Sequence, residues 1–384
     1  MFSEKFSFLT CFLLLSFLML ATNLASSLYP IYKNLNILTS FQITIVFSAY
    51  IAGLVPSLFV SQWVLNKIGL RNLLFTSIVI NVLGLLLMGC GESFISIFIG
   101  RVLQGVSIGI SASNLAFSLI AFEPNKNYHR ASLATGFAMT IGGGCGPISS
   151  AFISINYNSS LLAPYVIISI FLLLLSPFLY FIKNLKNNTK FSLPKIPSEY
   201  KHVFYICSFA AFLCWSVTAM FLSLIPVSFS FLLEQNKFLS LALTASLILL
   251  FSGVTQVFSV RFSIKLNIIL GMLIMLVSSI LLCFSQLLGL YYLLLLCSIL
   301  AGVGHGLSFL GITRLLNGCI NNSLYKGQII TAYNIAIYLG VGVPALLMGV
   351  LTKFYEINIA IIFFSFYMSI SFLFCLIKIR KHIS

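Results

Sequence analysis

The feature that most constrains this chain is a series of long apolar runs separated by short polar gaps. A helix needs roughly 20 apolar residues to cross the hydrocarbon layer of a bilayer. Runs of about that length recur at about 7–31, 41–64, 72–90, 94–121, 131–156, 161–182, 203–227, 239–260, 267–286, 290–316, 327–352 and 357–377. Inside lipid the backbone must satisfy its own hydrogen bonds, so such runs read as helices. The expectation is an all-α membrane protein with twelve transmembrane helices. At 60% hydrophobic and 7% charged, the 384 residues carry too little charge for a water-soluble fold, where about a quarter are charged. The first run is too long for a secretory signal and many spans follow it, so it reads as a retained helix.

Charge orients the runs. Numbering the gaps alternately from the N-terminus puts 17 of the 21 Lys and Arg on one side and three, Lys33, Lys237 and Lys353, on the other. Arg101 falls on neither. Membrane proteins keep their basic loops in the cytoplasm, so both termini are expected there. The net charge of +15 is spread over these gaps and not gathered on a polar domain, which argues against nucleic acid. The stretch from Lys183 to Lys201 is polar and holds Pro194 and Pro197. It reads as a cytoplasmic linker, 183–202, between two six-helix bundles at 1–182 and 203–384.

The bundles echo each other, which suggests pseudo-symmetry. Ser27-Leu28-Tyr29-Pro30 corresponds to Ser223-Leu224-Ile225-Pro226 at an offset of 196. Gln104-Gly105 corresponds to His305-Gly306 at 201, and Pro147 to Pro344 at 197. Duplicated halves are a common plan for secondary transporters, whose solute site lies near the midplane.

The run from Phe94 to Ala121 contains Arg101. A charge deep in lipid costs roughly 2.5–3.5 kcal/mol on insertion scales, so such residues usually face a polar cavity or a partner. Gly105 and Gly109, four apart, allow close helix approach. The segment Arg101-Val-Leu-Gln104-Gly105-Val-Ser-Ile-Gly109 resembles the R-x-x-Q-G-x-x-x-G motif of the major facilitator superfamily. Gly142-Gly-Gly-Cys-Gly146-Pro147 resembles the Gly-Pro motif of that superfamily's antiporter branches. Asn66-Lys67-Ile68-Gly69-Leu70-Arg71 is similar to its D-R-x-G-R-R motif, with Asn66 in place of the acid. The resemblance implies two six-helix bundles rocking around a central cavity. It also implies relatives that export drugs or metabolites. With the compact loops, it suggests a bacterial cytoplasmic (inner) membrane.

Candidate residues follow from polarity within the runs. Arg101 either meets solute or ties helices together through groups such as Gln104. His305 is either a proton acceptor, since imidazole titrates near pH 6.5, or a neutral group bonded between helices. Tyr333 and Asn334, with Asn23, Tyr29 and Trp215, are candidates for a cavity wall. Gly142, Gly146, Pro147 and Pro344 are expected to shape bends and tight crossings. Gly69, Lys67 and Arg71 would act in the conformational exchange. All six acids are Glu and each lies in or beside a gap, so no carboxylate sits deep in a span. A cavity that is neutral to positive fits a neutral or anionic solute, such as a metabolite, siderophore or drug, better than a cation.

The nine cysteines fall singly and form no C-x-x-C pair, so no metal or cofactor is expected. With no Asp, four scattered His and no H-E-x-x-H, a membrane-embedded enzyme has little to work with. A secondary exporter of a small solute is the expected function, with uptake or facilitated diffusion as the alternative on the same fold. An enzyme or a non-transporting receptor is the alternative of another class. The expected partners are the solute, the bilayer and, as a candidate, an exchanged proton. Nothing calls for an oligomer, so a monomer is expected.

Overall fold

A computed structural model describes residues 4–157, 160–185, 195–230, 238–320, 323 and 325–383. Much of the expected linker, 186–194, and Lys237 lie outside the described residues. Among the described residues the chain is helical, with no strand. It divides into two compact units, Met1–Leu38 with Ile45–Phe191 and Thr39–Thr44 with Ser192–Ser384.

The first unit contains α1 (Glu4–Asn23), α2 (Ala25–Asn34), α3 (Ser40–Gly89, from Ile45 on), α4 (Phe94–Ala121), α5 (Tyr128–Asn156) and α6 (Leu162–Leu175). The tight turn Ser176–Phe181 extends α6. The second unit contains α7 (Lys201–Leu222), α8 (Leu224–Ser228), α9 (Phe238–Ser259), α10 (Ile264–Leu288), α11 (Tyr291–Cys319), α12 (Lys326–Leu351) and α13 (Ile357–Ile383). Among the described residues, eleven helical stretches are long and apolar enough to cross a membrane. Large apolar side chains such as Phe152, Leu174, Phe258 and Phe366 are exposed on their outer faces. Contiguous apolar surface of that extent suits lipid rather than water.

The sequence reads Asn66–Arg71 as a gap between two runs. The structure shortens that gap: two helices meet within α3 at a kink, with non-helical backbone at Gly69 alone (φ 76°, ψ 167°). A residue with a side chain rarely adopts that φ, and glycine does so without steric cost. Past the kink the Leu70 and Arg71 N–H groups bond to the 184–185 segment instead of the preceding turn.

Helix α4 begins at Ser93, whose side chain accepts the Ser96 N–H at 3.3 Å. Its 28 residues span about 42 Å at 1.5 Å per residue. It packs on α3 closely enough that a Cβ added at Gly105 would strike the Tyr50 carbonyl, and one at Gly109 would lie 2.5 Å from the Leu54 carbonyl. Helix α5 crosses α1 in the same manner, Gly142 over Ser16 and Gly146 over Leu20 and Asn23. Helix α5 continues through Pro147. In the second unit α11 packs on α7, α9 and α10, and α12 packs on α7.

Candidate functional site

The polar centre of the first unit is built around a helix interruption. The first span breaks at Leu24, between α1 and α2. Ala21 and Thr22 lie in the last four residues of α1, whose carbonyls lack intrahelical donors. In a membrane such groups need partners from neighbouring helices. Arg101 of α4 donates from Nη1 to the Thr22 carbonyl at 2.6 Å and to Gln104 Oε1 at 2.9 Å. Gln104 donates from Nε2 to the Ala21 carbonyl at 3.2 Å. Ser150 of α5 donates to the Leu24 carbonyl at 2.8 Å and faces Ser27 Oγ at 2.5 Å. Side chains from two helices thus engage three carbonyls around the break.

The same cluster carries spare capacity. Arg101 is 4% exposed and Gln104 is 1% exposed. The Arg101 guanidinium also lies over the Tyr50 and Phe47 rings, at 5.3 and 5.8 Å from their centroids. Its Nε and the Tyr29 hydroxyl, both buried, have no hydrogen-bond partner among the described residues. Asn23 donates to the Met19 carbonyl at 2.9 Å, beside this cluster in sequence. The ion pairs found among the described residues, Lys126 with Glu4 and Arg130 with Glu123, do not involve Arg101.

The second unit has a different centre. His305 lies fourteen residues from either end of α11 and is wholly buried. Its Nδ1 is 2.8 Å from Ser252 Oγ on α9, and Gln256 donates from Nε2 to the same oxygen at 3.1 Å. Trp215 of α7 stands edge-on to His305, ring centroids 5.0 Å apart, and Phe309 stacks on His305 at 5.5 Å. Tyr333 is not part of this group. It is buried and meets Thr313 Oγ1 at 3.1 Å, eight residues further along α11. Asn334 is half-buried beside it on α12.

At Gly69 the chain is clamped. The Leu70 N–H donates to the Leu185 carbonyl at 3.1 Å and the Arg71 N–H to Asn184 Oδ1 at 3.3 Å. Arg71 Nε donates to the Ile182 carbonyl at 2.5 Å and its guanidinium lies 5.7 Å from the Tyr180 ring centroid. Lys67 rests over Trp63 at 5.0 Å. Backbone carbonyls and a ring take the place that an acid would offer. Pro344 is buried within α12, and near it Gly340 packs against the Phe212 backbone.

Sequence reasoning missed Ser252, Phe309, Phe47 and Thr313. It also missed Glu123, which lies in a polar connection yet is wholly buried. Glu123 accepts the Asn125 and Asn127 N–H groups at 2.8 and 2.7 Å and fixes the entry to α5. The only signal available was spacing: Ser252 and Gln256 are four apart and so share a helix face. Among the described residues, no group of three or more His, Cys, Asp or Glu is placed to hold a metal.

Bilayer-length helices with a buried charge bonded to backbone carbonyls define a multi-pass membrane protein with a polar interior. The chain belongs to the Major Facilitator Superfamily, whose family model matches residues 10–343. It is similar in fold to a solved bacterial homologue of the human lysosomal transporter Spinster, in an inward-facing and unoccupied conformation. That likeness covers 97% of this chain and 95% of the other, with a TM-score of 0.69 and 13% identity. No curated protein matches the sequence. As a member of that superfamily the chain is a secondary transporter of a small molecule.

Proposed function

We propose that the chain exports a neutral or anionic organic solute across a bacterial cytoplasmic membrane by alternating access between two six-helix bundles. The observation that carries the solute class is Arg101, a buried guanidinium bonded to a carbonyl and an amide, with no carboxylate in its contacts. Among the described residues no carboxylate pairs with it, so its charge is available to a ligand oxygen. Its Nε and the Tyr29 hydroxyl supply further polar capacity for a solute oxygen. A quaternary ammonium would meet repulsion there. The resemblance of Gly142–Pro147 to the antiporter motif supports export.

Twelve spans are supported by the length of α3. Fifty residues would extend about 75 Å, more than twice a hydrocarbon layer of about 30 Å. Gly69 therefore divides it into two spans. Duplication is supported by matched packing: Gly142 lies on Ser16 and Gly340 on Phe212, while Gly105 lies on Tyr50 and Gly306 on Ser252. Both units also interrupt their first long helix, at Leu24 and at Ser223.

The test is a comparison of metabolites inside and outside cells with and without the gene. The expected result is an organic anion or neutral metabolite that accumulates inside when the gene is absent. Strong proton-driven export of cationic dyes, with organic anions unaffected, would overturn the solute class.

A further inference from the structure

The hydrogen-bond order around His305 fixes where its proton sits. Gln256 Nε2 can only donate, so Ser252 Oγ is the acceptor of that bond. The Ser252 hydroxyl then has one proton to place, and His305 Nδ1 is 2.8 Å away. Were Nδ1 to donate instead, Ser252 would accept twice and its own proton would have no partner in this arrangement. Nδ1 is therefore the acceptor, and a neutral imidazole carries its proton on Nε2. That N–H has no hydrogen-bond partner among the described residues, and neither has the indole Nε1–H of Trp215. Two N–H donors without oxygen acceptors thus belong to rings whose centroids are 5.0 Å apart.

Buried donors in native proteins are rarely left unmet. Aromatic faces accept such protons only weakly, so an arriving oxygen would improve on what the rings offer. His305 is wholly buried, whereas Trp215 and Phe309, the rings packed on it, are partly exposed.

We propose that His305 and Trp215 form a hydrogen-bond-donating subsite that holds a carbonyl or carboxylate oxygen of the solute, with Ser252 and Gln256 as positioning residues. This deepens the exporter reading and rests on it for the identity of the site as a solute site. Its evidence is separate, since the solute class there stands on Arg101 and the direction on the Gly142–Pro147 motif.

The experiment is nitrogen-15 NMR of the full-length protein in lipid nanodiscs, labelled at histidine and tryptophan. Spectra are recorded alone and with benzoate, benzamide or benzyltrimethylammonium. Trp63→Phe removes the other indole, which is exposed on α3. The expected result is a His305 signal protonated at Nε2 and unprotonated at Nδ1. Benzoate and benzamide should shift both this Nε2 and the Trp215 Nε1, and the cation should shift neither. His305→Gln, which keeps a donor near Nε2, should retain the benzamide response of Trp215. His305→Leu should weaken it about tenfold, the effect of one lost hydrogen bond.

A proton on Nδ1, as a turned-over Gln256 amide would impose, overturns the proposal. So does a doubly protonated ring, a response to the cation alone, or no response to any of the three probes. The wild-type spectrum decides the tautomer even if a variant fails to fold. Intact export alongside no probe response would sink the subsite alone. Cation-only export alongside the expected spectra would sink the solute class read from Arg101 and leave the subsite standing.

Discussion

Replacing Arg101 with methionine separates a transport role from a packing role, because flux per folded molecule and stability are read by different assays. Arg101 makes two charge-assisted hydrogen bonds, to the Thr22 carbonyl and Gln104. Each is worth about 1.5–3 kcal/mol. Its position over Tyr50 and Phe47 adds about 0.5–2 kcal/mol. Against these stands the cost of holding a charge in the membrane interior, roughly 2.5–3.5 kcal/mol on insertion scales. Methionine removes the bonds, the ring contact and the cost together, so stability should fall by the difference, up to about 5 kcal/mol. The effect on an anionic solute is additional and appears in flux per folded molecule. A unit charge about 4 Å away contributes about 4 kcal/mol at an effective dielectric constant of about 20. That approaches a thousandfold in affinity. The assay is efflux of the solute identified by the metabolite comparison, in proteoliposomes, normalised to folded protein, beside thermal unfolding of the same preparation. The expected outcome is a drop in melting temperature with at least about a hundredfold loss of flux. Arg101→Lys should recover part of the flux, as it keeps the charge without the forked geometry. Flux per folded molecule unchanged in Arg101→Met would refute the reasoning and leave Arg101 as a helix tie.

Three further outcomes follow from packing. Gly105→Val should destabilise the first unit by about 1–3 kcal/mol or prevent folding, since the added carbon meets the Tyr50 carbonyl; detergent thermal-shift measurements would register it. Gly69→Ala should cost about 1–2 kcal/mol for a left-handed φ, with more from the Asn184 amide, 2.6 Å from the added carbon. Proteolysis of the 180–185 segment in native membranes should then speed up, and unchanged cleavage would count against the clamp. Ser150→Ala should lower stability by about 0.5–1.5 kcal/mol by removing its bond to the Leu24 carbonyl, whereas lipid-facing Phe152→Leu should be nearly neutral in the same thermal assay.

The helices were legible because apolar run length is a direct physical requirement of crossing lipid. Phe94–Ala121 is read from sequence with the bounds observed for α4. Arg101 was legible for the same reason, as the one charge that lipid should exclude. Its partners were not. The Thr22 and Ala21 carbonyls belong to every chain alike, and only the break at Leu24 makes them available. Ser252 was hidden because serines in apolar helices commonly bond back to their own helix, as Ser216 does to Phe212 here. Gly69 was read as part of a loop because polar residues surround it. The two helices it joins meet at that one residue, so the connection is shorter than its polarity implies.

The proposed duplication also shows what each unit adds to a common packing scheme. At the offset of 201, Gln104 corresponds to His305 and Arg101 to Gly302. Gly302 lies against the Ile248 carbonyl, where a Cβ would come within 2.6 Å. A long cationic side chain has no room at that position. The glycine seams thus serve both units, while the charge belongs to one and the neutral ring cluster to the other. The two units thus offer different chemistry to a solute: a positive charge in the first and neutral N–H donors in the second. A small inorganic anion would use only the guanidinium and should therefore inhibit weakly. Inhibition of solute efflux by benzoate exceeding that by chloride at equal ionic strength is the expected result. Equal inhibition by the two would mean that the second unit contributes packing alone.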